Sequence, residues 1–223
     1  SGASDVILCD GAYEELCMVL SYCAGADLFL WLEKSLPLLG VEREWGCRPV
    51  LREVLQAVCE IHERGIAHGD LSLENILLAH EEELDPDLVQ IRIIDFGACS
   101  GRFAEGVRGK ASYQAPEMHL CQEYDAFQAD AFSVGVMMFT LAVGNYPWKS
   151  TRQHGCCQSF RFHAERGMAA FLAKKKVKIA GGAIVSVLES LSPQLVALLT
   201  GLLSVDPATR MTLEAALGHT WFQ

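Results

Sequence analysis

The stretch Ile66-Ala-His-Gly-Asp-Leu-Ser-Leu-Glu-Asn-Ile-Leu-Leu78, together with Ile93-Ile-Asp-Phe-Gly97, decides the fold of this chain. The first stretch places a carboxylate, Asp70, and a carboxamide, Asn75, five residues apart before an apolar run. The second places another carboxylate, Asp95, at the end of a strand-like run rich in Val and Ile. Phosphoryl transfer from a nucleotide to a hydroxyl needs a group that orients the attacking oxygen and hard oxygen ligands for Mg²⁺. The three side chains meet both needs.

These stretches resemble two motifs of the eukaryotic protein kinases, the catalytic loop (His-Arg-Asp-x-x-x-x-Asn) and the metal-binding loop (Asp-Phe-Gly). Later segments resemble, in the family's order, the end of the activation segment, the start of the buried central helix and the two closing helices: residues 109–117, 130–135, 206–210 and 219–222. The resemblance covers almost the whole chain. It implies an α+β, protein kinase-like fold, with the end of the N-terminal lobe and the hinge over residues 1–23 and a mainly helical C-terminal lobe over residues 24–223.

Length and composition predict one domain with a single substantial core, because 51% of the 223 residues are hydrophobic. The net charge of −10 argues against nucleic acid as the principal partner, since phosphate backbones favour a basic surface. The longest apolar stretch, residues 134–143, is too short to cross a bilayer and predicts a buried helix, so we expect no membrane partner. Nine scattered cysteines and the lack of a signal-peptide pattern predict reduced thiols in an intracellular, cytoplasmic protein.

Local patterns predict the order of helices and strands. They indicate a hairpin (residues 6–8 with 16–20), two strands (76–78 and 89–94) and helices that start at Leu28 or cover residues 50–65, 129–143, 192–203 and 212–217. Asp27 is the expected cap of the helix that begins at Leu28, and Ser192-Pro193 and Thr212 are the expected start signals of the helices over residues 192–203 and 212–217. The basic run at residues 174–178 is typical of a solvated helix face, and a docking patch for an acidic partner is the alternative.

The start of the chain departs from the kinase pattern. Kinases cover the nucleotide phosphates with a glycine-rich loop, and a lysine on the third strand pairs with a glutamate on the first helix. None of these is found in this sequence, and residues 18–27 resemble the fifth strand and the hinge. We therefore expect a fragment or a truncated domain that transfers phosphate inefficiently by itself.

The resemblance implies roles for individual residues. Asp70 is expected to accept or orient the proton of the substrate hydroxyl, and Asn75 and Asp95 to hold Mg²⁺ across the phosphates of ATP. Other residues match positions that surround the adenine or belong to the hinge: Leu20, Tyr22, Cys23, Asp27 and Leu77.

Further matched residues are expected to shape the site without touching substrate. His68 resembles the loop histidine that packs beside Phe96. Glu117 and Arg210 resemble a buried bidentate ion pair that ties the activation segment to a late helix. Asp130 resembles the acid that hydrogen-bonds the backbone of the catalytic loop from the central helix.

Three departures within the motifs change the expected chemistry. Gly69 replaces the arginine that in many kinases pairs with a phosphorylated activation loop, so we expect less dependence on that phosphorylation. Ser72 and Lys110 stand where serine/threonine kinases usually carry a lysine and a threonine, which converge near the catalytic Asp. We hypothesise that Lys110 is a catalytic residue that supplies the cation Ser72 cannot. The alternative is a Lys110 that is merely exposed.

Together the patterns predict a protein kinase domain that transfers the γ-phosphoryl group of ATP, with Mg²⁺, to a serine or threonine hydroxyl of a protein substrate. Because Ser72 and Lys110 replace the residues that usually mark serine/threonine kinases, tyrosine remains an alternative acceptor. The main alternative is a pseudokinase that acts as a binding scaffold, although a scaffold has no need of all three oxygen-bearing residues. Small-molecule phosphotransferases share the His-Gly-Asp pattern but lack the motifs at residues 115–117 and 206–210. No oligomeric state is predicted.

Overall fold

The computed structural model describes residues 22–35, 40–79, 89–152, 157–179 and 181–223. The predicted hairpin and the site candidate Leu20 lie outside these residues. The described part contains, in chain order, α1 (Leu28–Ser35), α2 (Val41–Glu63), β1 (Ile76–Leu78), β2 (Ile91–Ile93), β3 (Phe103–Glu105), β4 (Glu123–Asp125), α3 (Ala126–Val143), α4 (Gln158–Lys174), β5 (Lys176–Lys178), β6 (Ile184–Ser186), α5 (Val187–Ser190), α6 (Pro193–Leu202) and α7 (Leu213–Leu217). Many helices with a few short strands confirm the predicted α+β class.

Helix α3 forms the centre of the hydrophobic core. Every residue from Ala129 to Val143 is buried, and Phe132 and Phe139 are completely so. The helix begins at a cap in which the Asp125 carboxylate accepts two backbone hydrogen bonds of the first turn. Among the described helices it alone is long and apolar enough to cross a bilayer, but 89% of it is buried inside the protein. The prediction of a buried core helix is confirmed.

Three other helices start at the predicted caps. The side chains of Asp27, Ser192 and Thr212 accept hydrogen bonds from backbone N–H groups in the first turns of α1, α6 and α7, at 2.8, 3.2 and 3.2 Å. These bonds satisfy N–H groups that have no partner within the helix. Local sequence was therefore sufficient to find these helix starts.

Helix α2 begins at Val41, well before the predicted start at residue 50. Pro49 lies inside the helix, where proline removes one backbone hydrogen bond. Tertiary contacts hold the turns before it: the buried Glu44 carboxylate accepts hydrogen bonds from Ser192 N (2.7 Å), Ser192 Oγ (2.6 Å) and Trp221 Nε1 (3.2 Å). The predicted start was wrong because local periodicity does not register contacts between such distant residues.

Short antiparallel ribbons position the loops of the site. Strand β1 pairs with β2 in the register Ile76↔Ile93, and β3 pairs with β4. The chain before α1 lies against β1, where Asp27 bridges to Leu77. The predicted strands at residues 76–78 and within residues 89–94 are confirmed.

The basic run at residues 174–178 is divided between two elements, and the predicted helix face is wrong. Helix α4 ends at Lys174, and Lys176–Lys178 forms β5, which pairs with β6. Within β5, Val177 packs against the core while the lysines on either side are exposed. This period of two is that of a strand.

Candidate active site

A buried carboxylate of α3 shapes the loop that contains Asp70. Asp130 is 1% exposed. Its oxygens accept hydrogen bonds from the backbone N–H groups of His68 (2.8 Å) and Gly69 (3.0 Å), and from Nε2 of His62 (2.9 Å). The predicted contact between Asp130 and the loop backbone is confirmed. Since each bond satisfies a buried polar group, the loop has one well-defined shape.

The His68 side chain connects this loop to the end of β2. Its Nε2 lies 3.0 Å from the carbonyl oxygen of Ile94, a contact in which the ring nitrogen must donate. Its Nδ1 then accepts a hydrogen bond from the backbone N–H of Asp70 at 3.2 Å. The ring also packs on Phe96, with 4.9 Å between ring centroids, which confirms the predicted contact.

The Asp70 carboxylate faces the activation segment. Its Oδ1 accepts a hydrogen bond from the backbone N–H of Lys110 at 3.1 Å. A Cβ atom on Gly109, whose φ is +73°, would lie 2.9 Å from both Asp70 Oδ1 and the carbonyl oxygen of Gly69, so this close approach requires glycine. Among the described residues no hydrogen bond reaches Asp70 Oδ2. That oxygen is therefore suited to accept a bond from an incoming hydroxyl.

Asn75 and Asp95 lie at the same end of the β1–β2 ribbon. Asn75 immediately precedes β1, and the backbone N–H of Ile94, next to Asp95, donates to the Asn75 carbonyl oxygen at 3.0 Å. The Asn75 Nδ2 group donates to the Asp70 carbonyl oxygen at 2.8 Å, which leaves its Oδ1 for another ligand. Asp95 is exposed and adopts a left-handed conformation (φ 63°, ψ 70°). The structure thus brings Asp70, Asn75 and Asp95 to one place.

The donor set at this place suits Mg²⁺. One carboxylate and one carboxamide oxygen are hard ligands, and Mg²⁺ is commonly bound through few protein ligands together with nucleotide phosphates and water. Neither here nor elsewhere in the described part of the chain could a group of three or more His, Cys, Asp or Glu side chains hold a metal ion. The pair Asn75 and Asp95 fits an ion that arrives with a nucleotide.

The candidates for the adenine site are placed less closely together. Tyr22 is 90% exposed and Cys23 is half-buried. Leu77 is half-buried on β1, opposite Asp27. The Asp27 carboxylate accepts a hydrogen bond from Leu30 N at 2.8 Å, so one of its oxygens caps α1. The structure brings Asp27 and Leu77 together.

The Lys110 side chain reaches Ser72, which the sequence singled out, and also Glu74. Its ammonium group lies 2.9 Å from Ser72 Oγ and 3.2 Å from the Glu74 carboxylate. The two catalytic candidates, Asp70 and Lys110, are therefore neighbours through both the backbone and the side chain of Lys110. Glu74 was missed by the sequence reasoning, although its position between Ser72 and Asn75 was a signal.

The sequence matches the family described as "Protein kinase domain" over residues 6–222. The chain belongs to this family. It is 30% identical over 214 residues to maternal embryonic leucine zipper kinase of Xenopus laevis, an alignment that covers 93% of this chain and 28% of that protein. It is 29% identical over 230 residues to calcium-dependent protein kinase 17 of Arabidopsis thaliana, covering 100% of this chain and 39% of that protein.

A third similar protein is the serine/threonine-protein kinase chk1 of Schizosaccharomyces pombe, 27% identical over 212 residues. That alignment covers 92% of this chain and 37% of the yeast protein. The chain therefore spans well under half the length of each of these relatives. What the three have in common with it is a kinase domain.

The departure of this kinase domain at Gly69 has a steric cause. Gly69 has a φ of +77°, and a Cβ atom there would lie 2.5 Å from the carbonyl oxygen of Ala98. No side chain fits without movement of the backbone. The same carbonyl oxygen accepts a hydrogen bond from Nη1 of Arg108 at 3.0 Å, and that of Cys99 accepts another at 3.3 Å. A cation from the activation segment itself thus binds beside the position of the missing arginine.

The lower side of the site is anchored by the predicted ion pair between Glu117 and Arg210. Arg210 Nη1 and Nη2 lie 2.5 and 2.9 Å from the two Glu117 oxygens, and the Arg210 side chain is completely buried. Arg210 also donates to the carbonyl oxygens of Gln128 (2.7 Å) and Ser204 (3.0 Å). The prediction of a buried bidentate bridge is confirmed.

Tyr113 is a further residue that the sequence reasoning missed. Its hydroxyl accepts a hydrogen bond from the backbone N–H of Leu73 at 3.3 Å and lies 3.2 Å from the hydroxyl of Tyr146. Burial, followed by the hydrogen bond with Tyr146, raises the pKa of Tyr113 above its ordinary value. The phenol stays neutral and positions the catalytic loop. Its position inside the activation-segment motif, between Lys110 and Ala115, could have indicated that Tyr113 contributes to the site.

Proposed function

We propose that this kinase domain transfers the γ-phosphoryl group of ATP, with Mg²⁺, to a serine or threonine hydroxyl of a protein substrate. The observation that carries the proposal is the approach of the three chain segments that hold Asp70, Asn75 and Asp95. Asn75 donates to the Asp70 carbonyl oxygen at 2.8 Å, and Ile94, the neighbour of Asp95, donates to the Asn75 carbonyl oxygen at 3.0 Å. The name of the yeast relative, a serine/threonine-protein kinase, favours the same acceptor class.

Asp70 is the group that orients the acceptor in this proposal. Its Oδ1 is held by the backbone N–H of Lys110, so Oδ2 can accept the hydrogen bond of the substrate hydroxyl and then its proton. Asn75 Oδ1 and the Asp95 carboxylate hold Mg²⁺. A bound Mg²⁺ would supply positive charge that neutralises part of the charge on the nucleotide phosphates.

Lys110 acts as a second catalytic residue in this proposal. Its ammonium group, beside Ser72 Oγ, is placed to stabilise negative charge on the phosphoryl group during transfer. The ion pair with Glu74 is partly exposed, and such pairs exchange partners at low cost. A phosphate group with more than one negative charge can therefore compete for Lys110.

The remaining assignments concern nucleotide binding and cell location. We propose that the adenine lies among Leu20, Tyr22, Cys23, Asp27 and Leu77, at the boundary between residues 1–23 and residues 24–223. We also propose a cytoplasmic location, which is supported by the free thiols among the described residues. A nucleotide analogue that crosslinks through its base, followed by mass spectrometry, and fluorescence microscopy of the tagged protein test the two assignments.

We propose that activity depends less on activation-loop phosphorylation than in kinases that carry an arginine at the position of Gly69. Residues 101–111 contain no serine, threonine or tyrosine. Gly69 leaves no side chain to pair with a phosphate, and Arg108 instead holds the segment to the carbonyl oxygens of Ala98 and Cys99. The segment is thereby kept in place by uncharged acceptors of the chain itself.

The test is a transfer assay with the complete natural protein, γ-labelled ATP, Mg²⁺ and a library of serine, threonine and tyrosine peptides. We expect label on serine or threonine, and a loss of about 10²- to 10⁴-fold in turnover for Asp70→Asn. In parallel, thermal unfolding with and without Mg²⁺–ATP measures binding, since a ligand of the native state raises its apparent stability.

The outcomes separate the enzyme from the scaffold. Transfer that Asp70→Asn removes while nucleotide binding persists supports the proposal. A thermal shift without transfer to any peptide favours the pseudokinase, and a label on tyrosine alone contradicts the acceptor class. Treatment with a phosphatase before the assay tests whether activity needs phosphorylation of the activation loop. A complete loss of transfer after this treatment would contradict the proposed low dependence.

A further inference from the structure

We propose that the domain prefers substrates whose acceptor residue is flanked by acidic side chains. A basic strip formed by Lys110, Lys149 and Arg152 binds these acidic side chains. The inference rests on the proposed function, because it names the kind of protein segment that the domain phosphorylates. It concerns the surface next to Asp70, on which a bound substrate must lie.

The strip is continuous with the catalytic carboxylate. The backbone N–H of Lys110 lies 3.1 Å from Asp70 Oδ1. From there the chain runs to Ser112, whose Oγ donates to the carbonyl oxygen of Lys149 at 3.4 Å, a long contact. A shorter bond follows between Thr151 Oγ1 and the carbonyl oxygen of Gln114 at 2.9 Å, and Thr151 is completely buried. These two bonds fix residues 149–152, which include Lys149 and Arg152, against residues 112–114 of the activation segment.

The spacing matches the length of a short peptide. Residues 110–113 form a turn closed by the hydrogen bond from Tyr113 N to the Lys110 carbonyl oxygen at 2.9 Å, so its two ends lie within about 7 Å. An extended substrate advances about 3.3 Å per residue and covers this distance in about two residues. Acidic side chains within about four positions of the acceptor can therefore reach Lys149 and Arg152.

Two of the three cations of the strip, Lys149 and Arg152, have no ion-pair partner among the described residues. Both are exposed. Glu74, the acidic residue of the catalytic loop besides Asp70, is already paired with Lys110 at 3.2 Å. The hydrogen bond of Thr151, the neighbour of Arg152, to the Gln114 carbonyl oxygen places Arg152 near the activation segment. Burial and then the charge of Arg152 lower the pKa of His119.

Two further exposed carboxylates, Glu105 and Glu123, face each other on the β3–β4 ribbon. The chain as a whole carries a net charge of −10. An acidic peptide is therefore repelled by most of the surface and attracted at this strip, which favours one place of binding.

The test compares three matched peptides with one acceptor, in which the four residues on each side are acidic, neutral or basic. We expect kcat/KM for the acidic peptide to exceed that for the neutral one by about tenfold, the effect of two exposed ion pairs of ordinary strength. The preference should decline at high ionic strength. A preference for the basic peptide, or none, overturns the inference.

Charge reversal locates the effect. In Lys149→Glu/Arg152→Glu the ratio of acidic to neutral kcat/KM should fall to about one or below. The matched control is Arg166→Glu/Lys178→Glu, which changes two exposed cations of α4 and β5 by the same charge and should keep the ratio. Circular dichroism verifies that both variants are folded. An equal loss of the ratio in both variants overturns the role of the strip.

A binding measurement separates this inference from the proposed function. Fluorescence anisotropy with the same labelled peptides reports affinity without any transfer. If no peptide is phosphorylated, the enzymatic proposal fails, while tighter binding of the acidic peptide that Lys149→Glu/Arg152→Glu removes still supports the strip. Equal binding of acidic and neutral peptides overturns it, whatever the activity.

Discussion

The charged groups below the catalytic loop and those at its open side are organised in opposite ways. Below the loop, Asp130 accepts hydrogen bonds from two backbone N–H groups and His62, and Glu117 forms a bidentate pair with a completely buried Arg210. At the open side, Asp95 is exposed and Lys110 shares a partly exposed ion pair with Glu74.

The difference separates stability from chemistry within one site. A buried charge has to be paired and fully hydrogen-bonded, so its removal leaves an uncompensated partner and costs stability. An exposed charge with free lone pairs costs little to keep and can bind a ligand. We therefore expect substitutions below the loop to change unfolding and substitutions at the open side to change turnover.

The largest effect is expected for Glu117→Gln. This nearly isosteric change leaves the Arg210 guanidinium buried without its carboxylate, and should lower the free energy of unfolding by about 3–5 kcal/mol. Chemical denaturation measures it. The control is Glu60→Gln, which removes the carboxylate of a two-thirds exposed pair with Arg64 and should cost less than about 1 kcal/mol. Similar costs for both variants would contradict the comparison.

Lys110→Ala should have the opposite signature. We expect a loss of about 10²- to 10³-fold in turnover, because a cation beside the transferred group stabilises the transition state. Nucleotide affinity and the free energy of unfolding should change little, since the ammonium group is exposed and its pair with Glu74 is weak. Steady-state kinetics and thermal unfolding measure the three quantities. Unchanged turnover would leave Lys110 as an exposed lysine only.

Gly69→Ala sharpens the boundary between the two sides, because Gly69 contacts both. The new Cβ would lie 2.5 Å from the Ala98 carbonyl oxygen in a backbone with φ +77°, and we expect a cost of about 1–3 kcal/mol together with lower turnover. Gly65→Ala is the matched control: its φ is +78°, but nothing lies within 4 Å of the added atom. If the two variants lose equal stability, backbone strain alone explains the glycine.

The smallest expected effect is a dependence of stability on pH that arises away from the site. Burial lowers the pKa of His163, and the hydrogen bond to the Leu203 carbonyl oxygen raises it less. In the unfolded chain His163 is protonated as pH falls below about 6.5, whereas in the folded state it stays neutral to lower pH. The free energy of unfolding therefore falls as pH falls below about 6.5.

The expected slope is at most about 1.4 kcal/mol per pH unit for this group. Denaturation of the protein and of His163→Gln between pH 7 and 5 measures it, and the variant should show a shallower slope whatever its stability at pH 7. An unchanged slope would assign the dependence to other groups. His119, whose pKa burial also lowers, acts in the same direction.

The sequence predicted those parts of the molecule whose cause is local or whose motif is specific. Three helix starts were predictable because a side-chain oxygen caps the turn that follows it immediately, at Asp27, Ser192 and Thr212. The pairing of Glu117 with Arg210 was predictable from family motifs, although 93 positions separate the residues.

Other features were beyond local reasoning. The first turns of α2 depend on the contacts of Glu44 with Ser192 and Trp221, which are far apart in sequence. The strand at Lys176–Lys178 depends on its pairing with β6. In both cases long-range contacts outweighed the local pattern.

The sequence by itself determined the family, the order of the motifs and the identity of the oxygen-bearing residues Asp70, Asn75 and Asp95, because these are properties of short segments. Only the tertiary structure decided that Lys110 also pairs with Glu74 and that Arg108 binds beside Gly69. The physical reason is that a side chain's partners depend on how separate segments pack against each other. Such packing is set by the whole core, and by no motif alone.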